Sequence, residues 1–278
     1  MSRTTAKELV FTARTQGRAI GAFNVILLEH AEALVSGAEA AQLPVILQIS
    51  QNCVDYHGSL KPIALATLAI AEAASVKVSV HLDHAQSETL IKEALDFGFD
   101  SVMFDGSKLD YAANVEASSR MAKLCNEYTA SIEVELGEVG GKDGVHAPGV
   151  RTNPQEAKAF TEATGVDLLA VAVGTSHAMI KRDATLDFGL IQAICETVSI
   201  PLVLHGSSGV SEGDLQRAVR SGMSKINIAT HLNHVFTDEV RRVLATDPKL
   251  VDPRKYIKSA RSKVADESSH LLKLLALI

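Results

Sequence analysis

No tryptophan occurs among the 278 residues, and aromatic side chains make up only 4% of them. The core must therefore be aliphatic, and a ligand site has few stacking platforms. Recognition would run instead through polar contacts. Cysteine is scarce too. Cys53, Cys125 and Cys195 are odd in number, widely spaced and form no C-x-x-C. A disulfide framework and a cysteine-based zinc site are both disfavoured, and a reducing cytoplasm is the expected location. Basic charge is not in excess: 27 Lys and Arg stand against 33 Asp and Glu, for a net charge of −6. Nucleic acid and anionic membrane need a basic excess and clustering, so neither is an expected partner. No stretch approaches the roughly 18 apolar residues of a membrane span. The opening MSRTTAKELVFTARTQG lacks the apolar core of a signal peptide and reads as an amphipathic helix. No strand-like run leads into G-x-G-x-x-G, which argues against an open dinucleotide-binding sheet.

What is present is aliphatic and periodic. Hydrophobic residues make up 46% of the chain. Strand-like runs stand at 18–24, 44–50, 76–82, 100–104, 131–136, 168–174, 201–205 and 224–229. Helix-period segments such as LLEHAEALVSGAEAAQ and SETLIKEALDFG lie between them. Alternation of this kind implies right-handed βαβ units on a parallel sheet. Eight units in this length fit a closed (β/α)8 TIM barrel, an α/β fold that commonly takes about 250 residues. The expectation is one barrel domain over 1–278, with an N-terminal helix and a C-terminal helical extension at 247–278. The glycine-rich stretch 137–153, GEVGGKDGVHAPGVRTN, is the expected lid loop.

Active sites of such barrels lie at the C-terminal ends of the strands. In this sequence each strand ends on polar groups: Asn24, Ser50, His81 with Asp83-His84, Asp105, Glu133 with Glu135, Ser176-His177, His205 through Ser208, and Asn227 through Thr230. His84, His177 and His205 come from three different strands. Three neutral imidazoles with an open fourth position describe a catalytic zinc site, although other divalent ions suit the same donors. Asp83 reads either as an acid–base group or as the partner that orients a histidine. Two glycine- and hydroxyl-bearing turns, Gly206-Ser207-Ser208-Gly209 and Asn227–Thr230, each lead toward a helix N-terminus and would cradle a phosphate. Ser211 is the expected N-cap of the helix that follows, with Asp214 at its third position. His146, His231, His234 and His270 lack a strand-end placement and are assigned to surface or packing roles. Metal and phosphate without a nucleotide motif suggest chemistry on a phosphorylated sugar.

HLDHA (81–85), VELGEVGG (134–141), GTSH (174–177), LHGSSG (204–209), KINIAT (225–230) and DPRKYIK (252–258) together resemble the class II, metal-dependent ketose-bisphosphate aldolases. GAFNV (21–25) and PVILQIS (44–50) are similar to that family's first two strands. The resemblance implies cleavage of a ketose phosphate to dihydroxyacetone phosphate and an aldehyde, which is glyceraldehyde 3-phosphate for fructose or tagatose 1,6-bisphosphate. It implies zinc on His84, His177 and His205, with Asp105 and Glu135 near a second or displaced divalent ion. Asp83 would handle the C4 hydroxyl proton, and Glu138 or Asp143 in the loop would serve C3. Gly206, Ser207, Ser208, Asn227, Ala229 and Thr230 would surround the dihydroxyacetone phosphate end, with Asn24 and Ser50 lining the pocket. Arg254 matches an arginine that holds the distal phosphate, in some members from a neighbouring subunit, so a homodimer or homotetramer is expected. Carbonyls near Ser176, Ala178 and Gly206 match a monovalent-cation site of some members. Three positions depart from the family pattern: Ala178 replaces a glycine, the loop reads GGKDG at 140–144, and Ala229 stands where the fructose-specific subgroup often has Asp. A different metal-dependent sugar-phosphate barrel enzyme, such as an epimerase or hydrolase, and a non-catalytic sugar-phosphate binder remain the alternative readings.

Overall fold

The computed structural model of the protein describes residues 2–137, 151–176 and 184–278. Eight parallel strands close in chain order into a barrel: β1 Ile20–Asn24, β2 Val45–Ser50, β3 Val78–Ala85, β4 Ser101–Phe104, β5 Ser131–Leu136, β6 Leu168–Val171, β7 Leu202–Leu204 and β8 Met223–Ile228. β8 pairs back onto β1, with Ile20 opposite Lys225 and Phe23 opposite Ile228. Closure leaves no unpaired sheet edge. This is the expected (β/α)8 barrel, with extra helices at both ends of the chain.

Strand lengths differ from the sequence reading where the site is built. β6 and β7 end at Val171 and Leu204, short of 174 and 205; Ala172 through Gly174 and His205 leave the ladder ahead of or at positive-φ glycines, Gly174 and Gly206. β3 instead runs on through Asp83 and His84 to Ala85. It does so with a register shift against β4 between Leu82 and Ala85, and His84 takes a left-handed φ of 49°. That conformation costs an L-residue about 1–2 kcal/mol, and such strain persists where surrounding structure enforces it.

Local sequence accounts for the helix starts. Ser87, Asp110, Asn153, Ser211 and Asp252 each accept a backbone N–H of the first turn, and each such cap contributes about 1 kcal/mol. Ser50 caps a short helix, Gln51–His57, that the sequence did not announce. The C-terminal extension is one continuous helix, Pro253–Leu275, packed along the helix Leu28–Ala41. At that crossing a Cβ on Gly37 would lie 2.4 Å from the Ala265 carbonyl, so only glycine permits the approach.

Strand alternation sorts the barrel interior into layers. At the N-terminal end, Ala6, Leu9, Val10 and Ala13 of helix Ala6–Thr15 plug the barrel against Ile20, Ala22, Ile46, Leu168, Ala170 and Val203. Above this apolar floor the buried residues are polar or charged: Gln48, Ser79, His81, Ser101, Glu133 and Lys225. Asn24, Ser50, Asp83, Asp105, Glu135, His205 and Asn227 stand at the C-terminal mouth. Outward-facing strand residues such as Leu47, Val80, Leu82 and Val134 form the aliphatic layer beneath the helices.

Most of the stretch expected as a lid, 138–150, lies outside the described residues. Its far end is tied down: Thr152 donates through Oγ1 to the Leu136 carbonyl at 2.7 Å and accepts from the Ala172 N–H at 2.8 Å. Among the described residues no helix is long and apolar enough to cross a membrane.

His30, buried against Phe236, accepts the Leu27 N–H through Nδ1 at 3.2 Å. Burial lowers its pKa to about 4, below an unfolded value near 6.5. The unfolded chain therefore binds the proton more readily, and stability is lost as pH falls from about 6.5 toward 4. Urea midpoints taken across that window should fall, and His30→Gln should remove about 3 kcal/mol of the pH-dependent loss. An unchanged slope in the variant would show that His30 does not carry it.

Candidate active site

At the C-terminal mouth lies a cavity of about 150 Å³ lined by Asn24, Gln48, Ser50, Asn52, Asp83, His84, Gly206, Ser207, Ser208, Asn227, Ala229 and Thr230. Ten of the residues singled out from the sequence thus meet in one place. Two of the larger cavities lie away from the strand ends. One faces the N-terminal plug around Leu9 and Leu43, and the other is a groove between helices around Arg261. Neither gathers the chemistry seen here.

The centre of the site is a pair of imidazoles. Nε2 of His84 and Nδ1 of His205 approach to 2.8 Å, with the rings edge to face. The far nitrogen of each ring meets a carboxylate. His84 Nδ1 lies 2.9 Å from Asp105, and His205 Nε2 lies 2.8 Å from Glu133. An ionised carboxylate only accepts, so the proton of each neutral ring belongs on that far nitrogen. The near nitrogens then present lone pairs to one another. Such an arrangement is repulsive unless a cation or a proton is shared, and a histidine backed by a carboxylate is the usual form of a metal ligand.

Asp83 stands beside the pair. It contributes to a cluster with His84 and His205 whose ligand atoms lie within 4.8 Å of one another. Asp83 is 3% exposed. Its Oδ2 lies 3.4 Å from Gln48 Nε2, while Oδ1 has no hydrogen-bond partner among the described residues. Gln48 Nε2 also donates to Asn24 Oδ1 at 2.7 Å, so the amide holds both residues in register. A buried carboxylate oxygen at a cavity wall is expensive without a partner and is suited to receive a proton from a bound molecule.

Across the cavity, residues 207–209 form a tight turn after Gly206, which has φ 65°. A Cβ on Gly206 would lie 2.7 Å from the Ser176 carbonyl. Ser207 donates its hydroxyl to the Asn227 carbonyl, and Ser208 Oγ accepts the His231 N–H at 3.2 Å. These bonds lock the turn to the start of helix Thr230–Thr246, whose N-terminus favours anions.

Several expected residues fall elsewhere. His177, Glu138, Asp143, Ala178 and His146 lie outside the described residues. Asp105 and Glu135 form a second donor cluster with His84 but do not line the cavity. Arg254 is away from the cavity of its own chain: its side chain is 90% exposed and pairs with Asp252 at 2.9 Å. His231 has a specific role, with Nε2 2.5 Å from Glu267.

The strand-end reading missed part of the layer below. Gln48 and Lys225 stand inside apolar strands and carry no strand-end signal, while His81 and Glu133 stand among the strand-end polar groups but without the partners they have here. Glu133 and Lys225, fully buried, pair at 2.8 Å, directly beneath His205. His81 donates or accepts at Ser101 Oγ over 2.8 Å; burial, then the charge of Lys225, hold its pKa well below the usual histidine value. The signal was available: a charged residue at an inward period-two position of a barrel strand needs a buried partner.

Comparison with known proteins agrees with this architecture. The sequence model for fructose-bisphosphate aldolase class-II matches residues 4–277, and the chain belongs to that family. The YdjI aldolase of Escherichia coli K12 is 28% identical, with a TM-score of 0.85 over 98% of this chain and 97% of that one. The fructose-bisphosphate aldolase of Campylobacter jejuni is 23% identical, with a TM-score of 0.83 over 100% of this chain and 96% of that one; this likeness concerns the fold.

Gly206→Ala should combine a left-handed alanine with the contact to Ser176. Equilibrium urea unfolding should show a loss of at least about 2 kcal/mol. A wild-type midpoint would mean that the turn has another accessible conformation.

Proposed function

We propose that this chain catalyses the reversible retro-aldol cleavage of a ketose phosphate into dihydroxyacetone phosphate and an aldehyde. The observation that carries this reading is the placement of Asp83 Oδ1, buried and unpartnered among the described residues, within reach of the His84–His205 pair and in the cavity that the Gly206–Ser208 turn also lines. Family membership over nearly the whole chain supports it.

The donor set fits a divalent metal. His84 and His205, with His177, would hold it, and three imidazoles favour zinc. Bound there, it would supply Lewis acidity toward the ketose carbonyl oxygen. The chain's own residues do the rest. The Gly206–Ser208 turn and the backbone at Ala229 and Thr230 hold the phosphate on C1. Asn24, Ser50 and Asn52 offer hydrogen bonds to the hydroxyls. Asp83 takes the proton of the C4 hydroxyl, the C4 oxygen becomes the aldehyde oxygen, and the C3–C4 electron pair passes to C3 and its adjacent carbonyl. A carboxylate of the 138–150 stretch, Glu138 or Asp143, returns a proton to C3. Gln48 keeps Asp83 aimed. Asp105 orients His84, and with Glu135 it offers carboxylate oxygens to a second divalent ion.

Among the described residues no Lys or Arg lines the cavity. For a bisphosphate substrate, Arg254 of a second copy would meet the distal phosphate, in keeping with its exposure here and with a homodimer or homotetramer. Ala229 favours a tagatose-type over a fructose-type substrate. A small-molecule sugar phosphate, a monovalent cation near Ser176 and Gly206, and a cytoplasmic location complete the reading.

Two tests address it. Metal-free enzyme should release no dihydroxyacetone phosphate from a panel of fructose, tagatose and singly phosphorylated ketoses, and zinc should restore release. Undiminished cleavage by demonstrably metal-free protein would contradict the reading, and a product other than dihydroxyacetone phosphate would favour an epimerase or hydrolase. Asp83→Ala should keep its zinc while kcat falls about 10²–10⁴-fold. Loss of zinc in that variant would instead make Asp83 part of the metal site.

A further inference from the structure

We infer that Glu133 and Lys225 form a positioning pair for His205, buried in the barrel interior and acting through the imidazole without reaching the cavity. The inference rests on the metal reading above and adds a layer beneath it.

Both side chains are fully buried. Lys225 Nζ lies 2.8 Å from Glu133 Oε2, and Glu133 Oε1 lies 2.8 Å from His205 Nε2. The two carboxylate oxygens thus have separate duties: one is neutralised by an ammonium, the other accepts from an imidazole. The Asn227 amide lies 3.2 Å from the same imidazole nitrogen, and His81 Nε2 reaches Glu133 Oε2 at 4.0 Å. Burying an ion pair this deeply is weak support for stability, because desolvation offsets the attraction. Apolar residues of similar volume would fill the same interior, as they do one layer below. The pair nonetheless does one thing an apolar filling would not. A fixed acceptor on Nε2 holds the proton there, leaves the lone pair on Nδ1 and sets the ring plane, so that Nδ1 is the atom presented to His84. Lys225 Nζ occupies the other carboxylate oxygen, which fixes the carboxylate plane and leaves Oε1 facing the imidazole. The strands enforce the arrangement: Glu133 on β5 and Lys225 on β8 point inward across the barrel, below His205 at the end of β7.

The test separates positioning from packing. Zinc affinity is measured by chelator competition on purified full-length protein, alongside urea unfolding of the metal-free form. Glu133→Leu with Lys225→Met removes the buried charges together and should leave the unfolding midpoint at or above wild type. Its zinc affinity should nevertheless fall about 10–100-fold, the usual effect of losing a histidine's carboxylate partner. Glu133→Gln with Lys225→Met, which restores an uncharged acceptor for Nε2–H, should recover most of that loss. Wild-type zinc affinity in the Leu/Met protein would overturn the proposal while leaving the metal site intact. Wild-type protein that binds no zinc would overturn the metal reading and this proposal together.

Discussion

Two imidazole nitrogens held 2.8 Å apart set the terms for the rest of this barrel. Each ring is pinned from behind by a carboxylate, so each turns a lone pair toward the other. The chain brings them there from the ends of two strands that are not neighbours in the sheet. β3 must bulge and carry His84 through a left-handed conformation, and β7 must end early and turn at Gly206. Register shifts occur in the β3–β4 and β7–β8 pairs, the pairs that contain the two strands from which the imidazoles come. This is the pattern expected when a closed scaffold supports a strained site.

The layering of the interior follows from the same requirement. An aliphatic floor and the N-terminal helix seal one end, which leaves the other end to carry polar groups. Between them lies a charged layer that no solvent reaches. Barrel interiors are packed cores of branched aliphatic residues, so Glu133 and Lys225 depart from the pattern at a cost that needs a reason. Their position under His205 supplies one: the ionic layer links the packed scaffold to the imidazole whose orientation the site depends on. Gln48 plays a comparable part on the other side, joining Asn24 to Asp83.

Much of this was legible in the sequence. Apolar runs at regular spacing gave eight strands, and the rule that barrel sites lie at C-terminal strand ends located Asn24, Ser50, Asp83, His84, Gly206, Ser207, Ser208, Asn227 and Thr230 in one cavity, with His205 against His84. The Ser211 cap was readable because a hydroxyl three residues before an acidic side chain has a local physical meaning. The buried layer was read only in part: His81 and Glu133 stood out as strand-end polar groups, but Gln48 and Lys225 sit inside strands whose overall hydrophobicity hides them. Only alternation, counted residue by residue, shows that they face inward. The bulge in β3 was also silent, since nothing local in HLDHA marks His84 as left-handed. Arg254 could be recognised from its motif but not placed, since its surroundings depend on contacts beyond one chain.

The most direct test of the central claim is anomalous diffraction at the zinc edge from crystals grown with zinc. A single strong peak shared by Nε2 of His84 and Nδ1 of His205, with Asp105 and Glu133 still on the far nitrogens, is the predicted result. An absent peak, or one bound through the opposite ring nitrogens, would contradict the account.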